Sequence, residues 1–289
     1  MKKIVLSLLV GIMILGGCSK MDEKKEKETK DTTPVQDYVG QGFIFVDGDK
    51  SKDIVEKNEA EISRRAIKYM KETYKTDVKV NNVVPARSAA VVMVEAEEPI
   101  QFHTSVIVGL DMAKKALDPE EANVVRSEEG EVEKAIVSGL YAKAYKEEFE
   151  NLNQFLAELS KKYGFLGKRQ EAVDKTASSG YQTEYFFISL SALNYNDLYN
   201  KYMANTQVDA KALQLLFEAN REKGIQPLIS VNFYSKTEHL PKVEKAQEML
   251  AGLEEEPNIP LGRYKINIFK NNIINRVGLP DGESVSVEN

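Results

Sequence analysis

Apolar residues recur along this chain with two periods, and the switches between them mark out its elements. Over 53–74, Ile54, Ala60, Ile62, Ala66, Ile67, Met70 and Tyr74 are largely compatible with one helical stripe, and charged residues fill the other positions. Three valine-rich runs at 77–84, 89–96 and 101–110 predict strands, with Pro85 and Pro99 at their connections. Val91-Val-Met-Val94 is apolar without alternation, which predicts a central strand covered on both faces. The run from Gln101 starts with alternation, as a strand with one wetter face does. Helical periodicity returns over 131–149 and 152–163, and a shorter helix is expected over 168–177. Ser178-Ser-Gly180 breaks the chain before an aromatic strand at 181–190. Helices are expected at 193–203, 209–223 (ending at Gly224) and 241–253, with a strand at 227–234. The runs 263–269 and 273–277 read as a hairpin turned by Asn271-Asn272, because asparagine tolerates positive φ.

Strand runs followed by helical runs define an α+β fold, with antiparallel or mixed sheets and several packed helices. Each half of the chain holds a helix followed by strands that end in a hairpin-like pair. No repeat at fixed spacing accompanies this, so a structural duplication stays open.

The first residues follow another logic. Lys2 and Lys3 precede an uncharged apolar stretch, 4–17, and then comes Leu15-Gly16-Gly17-Cys18. A charged start, a short apolar stretch and small residues before a cut make a secretory signal. As a helix the stretch spans roughly 21 Å, short of a bilayer core of ~30 Å. Leu15, Gly16, Gly17 and Cys18 match the bacterial lipobox. The glycines let extended backbone enter a peptidase cleft, and the Cys18 thiol is a nucleophile suited to accept a diacylglyceryl group. Two acyl chains hold a protein stably on a membrane where one does so marginally. The expected organisation is therefore a signal peptide at 1–17, then a lipidated Cys18 and disordered charged tether over 18–34. An α+β domain at 35–283 and a frayed tail at 284–289 follow. Residues 20–31 carry five lysines and five acids, and Pro34 ends the tether.

Composition narrows the partners. Net charge is −6, or −8 once Lys2 and Lys3 are cut away. That opposes nucleic acid, which needs concentrated basic surface, and a polybasic grip on anionic lipid. Cys18 is the only cysteine, so no disulfide is available and no thiol chemistry survives acylation. His103 and His239 fall in different elements without a local partner. His103 has Thr104 and Ser105 beside it, but adjacent strand residues face opposite sides. Glu95, Glu97 and Glu98 cluster near a strand end, where sequence neighbours form a solvated edge more often than the carboxylate pair of a glycosidase. Asp47-Gly48-Asp49 lacks the remaining ligands of a calcium loop, and Glu254-Glu-Glu256 reads as a loop. No G-x-S-x-G elbow occurs. Tyr195, Tyr199 and Tyr202 share one helix face at a spacing typical of core packing. No catalytic residue, metal ligand or cofactor is expected.

Gly40 and Gly42 lie within Val35-Gln-Asp-Tyr-Val-Gly-Gln-Gly-Phe43. Too little chain precedes them for a phosphate loop, and they read as a turn that docks the segment. That segment, together with Ser138-Gly-Leu-Tyr-Ala142 and Pro260-Leu-Gly-Arg-Tyr264, resembles an uncharacterised lipoprotein family of low-GC Gram-positive bacteria. The resemblance covers most of the mature chain. It implies attachment to the outer face of the cytoplasmic membrane, and it implies no activity and no catalytic residues. The leading expectation is a non-enzymatic module on the extracytoplasmic face of the cell membrane, held by lipid on Cys18, that binds a protein or small molecule. A solute-binding lipoprotein of a transporter and an envelope hydrolase with a dispersed site are the alternatives.

Overall fold

A computed structural model of the chain describes residues 31–119, 124–190 and 192–289. Cys18 and the signal peptide lie outside the described residues, as does the tether up to residue 30.

The first described strand, β1 (Thr32–Pro34), corrects the tether boundary. It pairs with β11 (Asn272–Ile274), and Val35 N donates to the Asn271 carbonyl at 2.8 Å. The last residues of the expected tether are therefore part of the fold. The segment after β1 docks as the glycines predicted. Gly40 and Gly42 have φ of +89° and +74°. A Cβ on Gly40 would lie 2.9 Å from the Lys175 Cβ, so only glycine meets both the backbone and the spacing there.

Helix α1 (Lys52–Tyr74) turns Ile54, Ile62, Ala66, Met70 and Tyr74 inward. Ala60 and Ile67, assigned to the same stripe, are exposed. The strands β2 (Lys79–Ala86), β3 (Ala89–Ala96) and β4 (Phe102–Asp111) form an antiparallel meander, extended beyond β4 by β5 (Ala116–Leu117) and β6 (Val125–Arg126). Pro85 lies inside β2 rather than after it, opposite Ala90. β2 is the sheet edge, where a missing N–H costs no ladder bond. β3 is covered on both faces as expected. Val92 and Val94 join the main core, while Val91 and Met93 pack in a second cluster with Phe43 and Phe45.

Helices α2 (Glu131–Ala144) and α3 (Lys146–Tyr163) meet at Tyr145, whose φ of −123° breaks the helix. The expected break at 150–151 is thus placed too late, and Leu152 belongs to one stripe with Phe149, Leu156 and Leu159. After β7 (Phe165–Leu166) comes α4 (Gln170–Thr176), which packs on β2 and β3. The aromatic strand is only β8 (Phe186–Ser189), because 181–185 is spent on a turn in which Thr183 N donates to the Phe186 carbonyl. A 3-10 turn (Ala192–Tyr195) leads into α5 (Asn196–Ala204), followed by α6 (Ala210–Glu222). The Asp209 side chain caps α6 by accepting from Ala212 N at 3.0 Å. Tyr195 and Tyr202 are core residues.

The second large sheet runs β13 (Ser284–Glu288), β10 (Arg263–Phe269), β9 (Leu228–Ser235) and β7, with β8 also on β9. α7 (Val243–Glu255) covers β10 and β13. Two expectations fail here. β10 pairs parallel with β9 and not with the following run, and β11 joins β1 and β12 (Leu279–Pro280) in a separate small sheet. Asn271 explains the departure, since its side chain is turned inward to accept from Val35 N at 3.2 Å. The tail from Ser284 is not frayed. It closes the edge of β10 with Val285 opposite Ile268 and Val287 opposite Ile266. Residues 31–289 form one compact unit, and the main core joins both large sheets through α1, α2, α3, α5, α6 and α7. Among the described residues no helix is long and apolar enough to cross a membrane.

Candidate functional site

Two features have the makings of a site. The first is an open cleft of about 1020 Å³ at the N-terminal end of α2 and the start of β9. Phe187, Ile188, Leu190, Ile225 and Leu228 give it apolar walls, and Glu131, Lys134 and Arg263 give it charge. Each cation is already matched. Lys134 Nζ lies 2.6 Å from Glu131, and Arg263 Nη1 lies 3.1 Å from Glu288. Tyr195 also lines the cleft. Its side chain is buried, burial pushes its phenol up to about 12, and its hydroxyl has no hydrogen-bond partner. An orphaned buried hydroxyl costs about 1–3 kcal/mol. Among the described residues the cleft is lined by no histidine or cysteine, and the one carboxylate there is paired to Lys134.

The second feature is a polar cluster on the face of the first sheet. Glu95 and His103 occupy directly opposed positions in β3 and β4. Cross-strand partners have Cβ atoms about 4.5–5.5 Å apart, so the register alone brings the carboxyl to the imidazole. Helix α4, packed over this face, adds Asp174. His103 Nε2 lies 3.2 Å from Asp174 Oδ1 and 3.6 Å from Glu95 Oε2. Asn81 donates to Glu95 Oε2 at 3.0 Å, Gln101 to Glu95 Oε1 at 3.3 Å, and Gln170 to Asp174 Oδ1 at 2.7 Å. Lys79 Nζ lies 3.2 Å from Glu95 Oε2. Burial pushes the Glu95 carboxyl up, but the hydrogen bond from Asn81, the nearby His103, Lys79 and Gln101 outweigh it and hold the group below the usual carboxylate range. His103 is fully buried, and its Nδ1 has no partner among the described residues.

The structure thus joins two residues that the sequence presents separately. Glu97 and Glu98 stay at the turn, where Glu97 pairs with Lys79. Thr104 faces the opposite side from His103, with its own hydroxyl unpartnered. His239 is exposed.

The segments behind the family resemblance prove to be packing devices. A Cβ on Gly139 would lie 2.7 Å from the Gln101 carbonyl oxygen, and Ser138 Oγ accepts from Tyr181 N at 2.9 Å. Tyr141 donates to the Leu261 carbonyl, which ties the segment 138–142 to the segment 260–264. Tyr38 is fully buried in a satellite core with Val35, Ala172, Tyr234 and Ile273.

Fold and site together define an α+β protein with two large mixed or antiparallel sheets and one small one, an open cleft and a separate buried cluster of histidine and carboxylates. A family model described as protein of unknown function (DUF1672) matches residues 25–288. The chain belongs to that uncharacterised family. It is similar to the crystal structure of a DUF1672 family protein from Staphylococcus aureus subsp. aureus Mu50, with a TM-score of 0.71 and 23% identity over 89% of this chain and 97% of that one. At that identity the likeness speaks for the fold. No curated protein matches the chain.

Proposed function

We propose that this chain is a lipid-anchored binding module of the cell envelope, acylated on Cys18 and facing away from the cytoplasm. The observation that carries the reading is the position of the sole cysteine, directly after Leu15-Gly-Gly. The tether that follows has no net charge and little to bury, and it would space the folded unit from the bilayer. The module's ligand is a small molecule or short chain segment held in the cleft beside Tyr195. The volume of the cleft falls in the range of small-molecule sites, and its lining supports binding rather than bond cleavage. Delivery of that ligand to a transporter is the second reading, favoured by the same cleft.

The test is metabolic labelling of producing cells with an alkyne-bearing fatty acid, followed by fractionation. The wild-type chain is expected to carry label and to sediment with membranes until detergent is added. Cys18→Ala is expected to lose the label, retain its signal peptide and run at higher mass. Equal labelling of the variant would remove Cys18 as the anchor and with it the proposal.

A further inference from the structure

We propose that Glu95, His103 and Asp174 form a binding site for a divalent first-row transition-metal ion, with zinc(II) the best fitted. The site is separate from the cleft and does not depend on the function proposed for it. The one ligand atom offered by each residue lies within 4.8 Å of the other two. Zinc bonds of about 2.0–2.2 Å to nitrogen and carboxylate oxygen in tetrahedral geometry require ligand atoms roughly 3.3–3.5 Å apart. The observed separations of His103 Nε2 from Asp174 Oδ1 and Glu95 Oε2 are 3.2 and 3.6 Å, which bracket that edge. One imidazole with two carboxylates suits zinc, iron or manganese better than magnesium, which prefers oxygen alone.

A second observation concerns the histidine itself. Its side chain is 1% exposed, and Nε2 is aimed between two carboxylate oxygens. Nε2 is therefore the ring nitrogen placed to bind an ion, since Nδ1 lies on the far side of the ring from the carboxylates and has no partner among the described residues. The carboxylates also have the outer supports that orient metal ligands. Glu95 is steadied by Asn81 and Gln101, and Asp174 by Gln170. The Asp174 side chain is 29% exposed, which opens the fourth position of a tetrahedron to water or an incoming group.

Lys79 separates this proposal from a purely structural role. Its ammonium lies 3.2 Å from Glu95 Oε2 and competes with a cation for that oxygen. The side chain is half-exposed and has Glu97 as an alternative partner, so it can withdraw. If the cluster is only an ion-pair network in which His103 bridges two carboxylates, removing Lys79 loosens it. In a metal site, removing Lys79 improves it.

The test uses the full-length untagged chain in detergent, carrying Cys18→Ala so that no thiol contributes. Zinc(II) is titrated in competition with a chromophoric chelator. One equivalent is expected to bind, with manganese(II) weaker and magnesium(II) weakest. Asp174→Asn and His103→Gln are each expected to weaken zinc by at least the roughly 10- to 100-fold that losing an outer-shell partner costs, and Lys79→Met to tighten it. Asp174→Asn lies on a partly exposed helix, and an unchanged circular dichroism spectrum and melting curve would show that it folds even if His103→Gln does not. Absence of stoichiometric zinc, zinc binding undiminished by Asp174→Asn, magnesium binding as tight as zinc, or a Lys79→Met variant no tighter than its parent would each overturn the assignment.

Discussion

Replacing Lys168 by methionine tests how the chain tolerates a partly buried cation held by hydrogen bonds alone. The Lys168 ammonium donates to the Gly278 carbonyl at 2.9 Å and to Thr176 Oγ1 at 3.5 Å, and no carboxylate is among these partners. Burial lowers its pKa from 10.5 to about 8. At 1.36 kcal/mol per pH unit, keeping the proton on folding costs up to about 3 kcal/mol, and partial solvent contact reduces this to roughly 2 kcal/mol. The unfolded lysine holds its proton up to about pH 10.5, whereas the folded one releases it near pH 8. Between those values the unfolded state binds more protons, so stability of the wild-type chain rises with pH through this window. Below pH 8 both states are protonated and the full penalty stands. Methionine has no such penalty but loses the hydrogen bonds, at about 1 kcal/mol. Lys168→Met is therefore expected to be more stable than wild type by about 1 kcal/mol at pH 7 and less stable by about 1 kcal/mol at pH 10.5. Urea unfolding of both chains at the two pH values measures this. Other groups titrate identically in both proteins and cancel in the difference. A difference that does not change with pH would show that Lys168 keeps its ordinary affinity for protons in the fold, and the reasoning would fail.

Three further outcomes are expected. Gly40→Ala forces a side chain into φ +89° and against the Lys175 Cβ, and should lower the urea-derived stability by about 1–3 kcal/mol; an unchanged midpoint would mean that the segment is not held as described. Deletion of residues 284–289 strips β13 from β10 and bares a strand edge beside Ile266 and Ile268, so the shortened chain should self-associate in size-exclusion chromatography; a stable monomer would contradict this. Tyr195→Phe removes a buried hydroxyl with no partner among the described residues and should raise stability in a thermal melt by about 1 kcal/mol; a drop in stability would reveal a partner for that hydroxyl in the folded chain.

Elements whose evidence is local were legible from residue order. The stripe of α1, the unbroken apolar run of β3 and the end of α6 before Gly224 each depend on neighbours within a few positions, where periodicity and capping rules act. The hairpin expected over 263–277 failed because strand pairing is not local. Asn271-Asn272 does carry turn chemistry, but Asn271 serves Val35 from 236 residues away, and β10 is better satisfied between β9 and β13 than against the run that follows it. The tail was misjudged for a related reason. Ser284-Val-Ser-Val-Glu288 alternates polar and apolar positions as a one-sided strand does, but its brevity and terminal position point to fraying unless an open edge is known to await it.

The buried cluster shows the same limit at the level of chemistry. In residue order Glu95 stands with Glu97 and Glu98, and His103 with Thr104 and Ser105. In a strand, immediate neighbours point to opposite faces, and the relevant neighbour is the residue across the ladder. Once 89–96 and 101–110 are read as a hairpin closed near Pro99, the register is open to inference, and a register placing residue 95 opposite 103 makes a carboxylate–imidazole pair. That step needed only the two strands already identified. Asp174 needed more. It lies 71 residues from His103 on a two-turn helix, and nothing in the local pattern of 170–176 says that this helix packs over β2 and β3. The pair was within reach of the sequence, whereas the third member depends on how the helix docks. For that reason Asp174→Asn is the decisive variant for the metal site: it alters the one residue that only the tertiary fold recruits and leaves the hairpin intact.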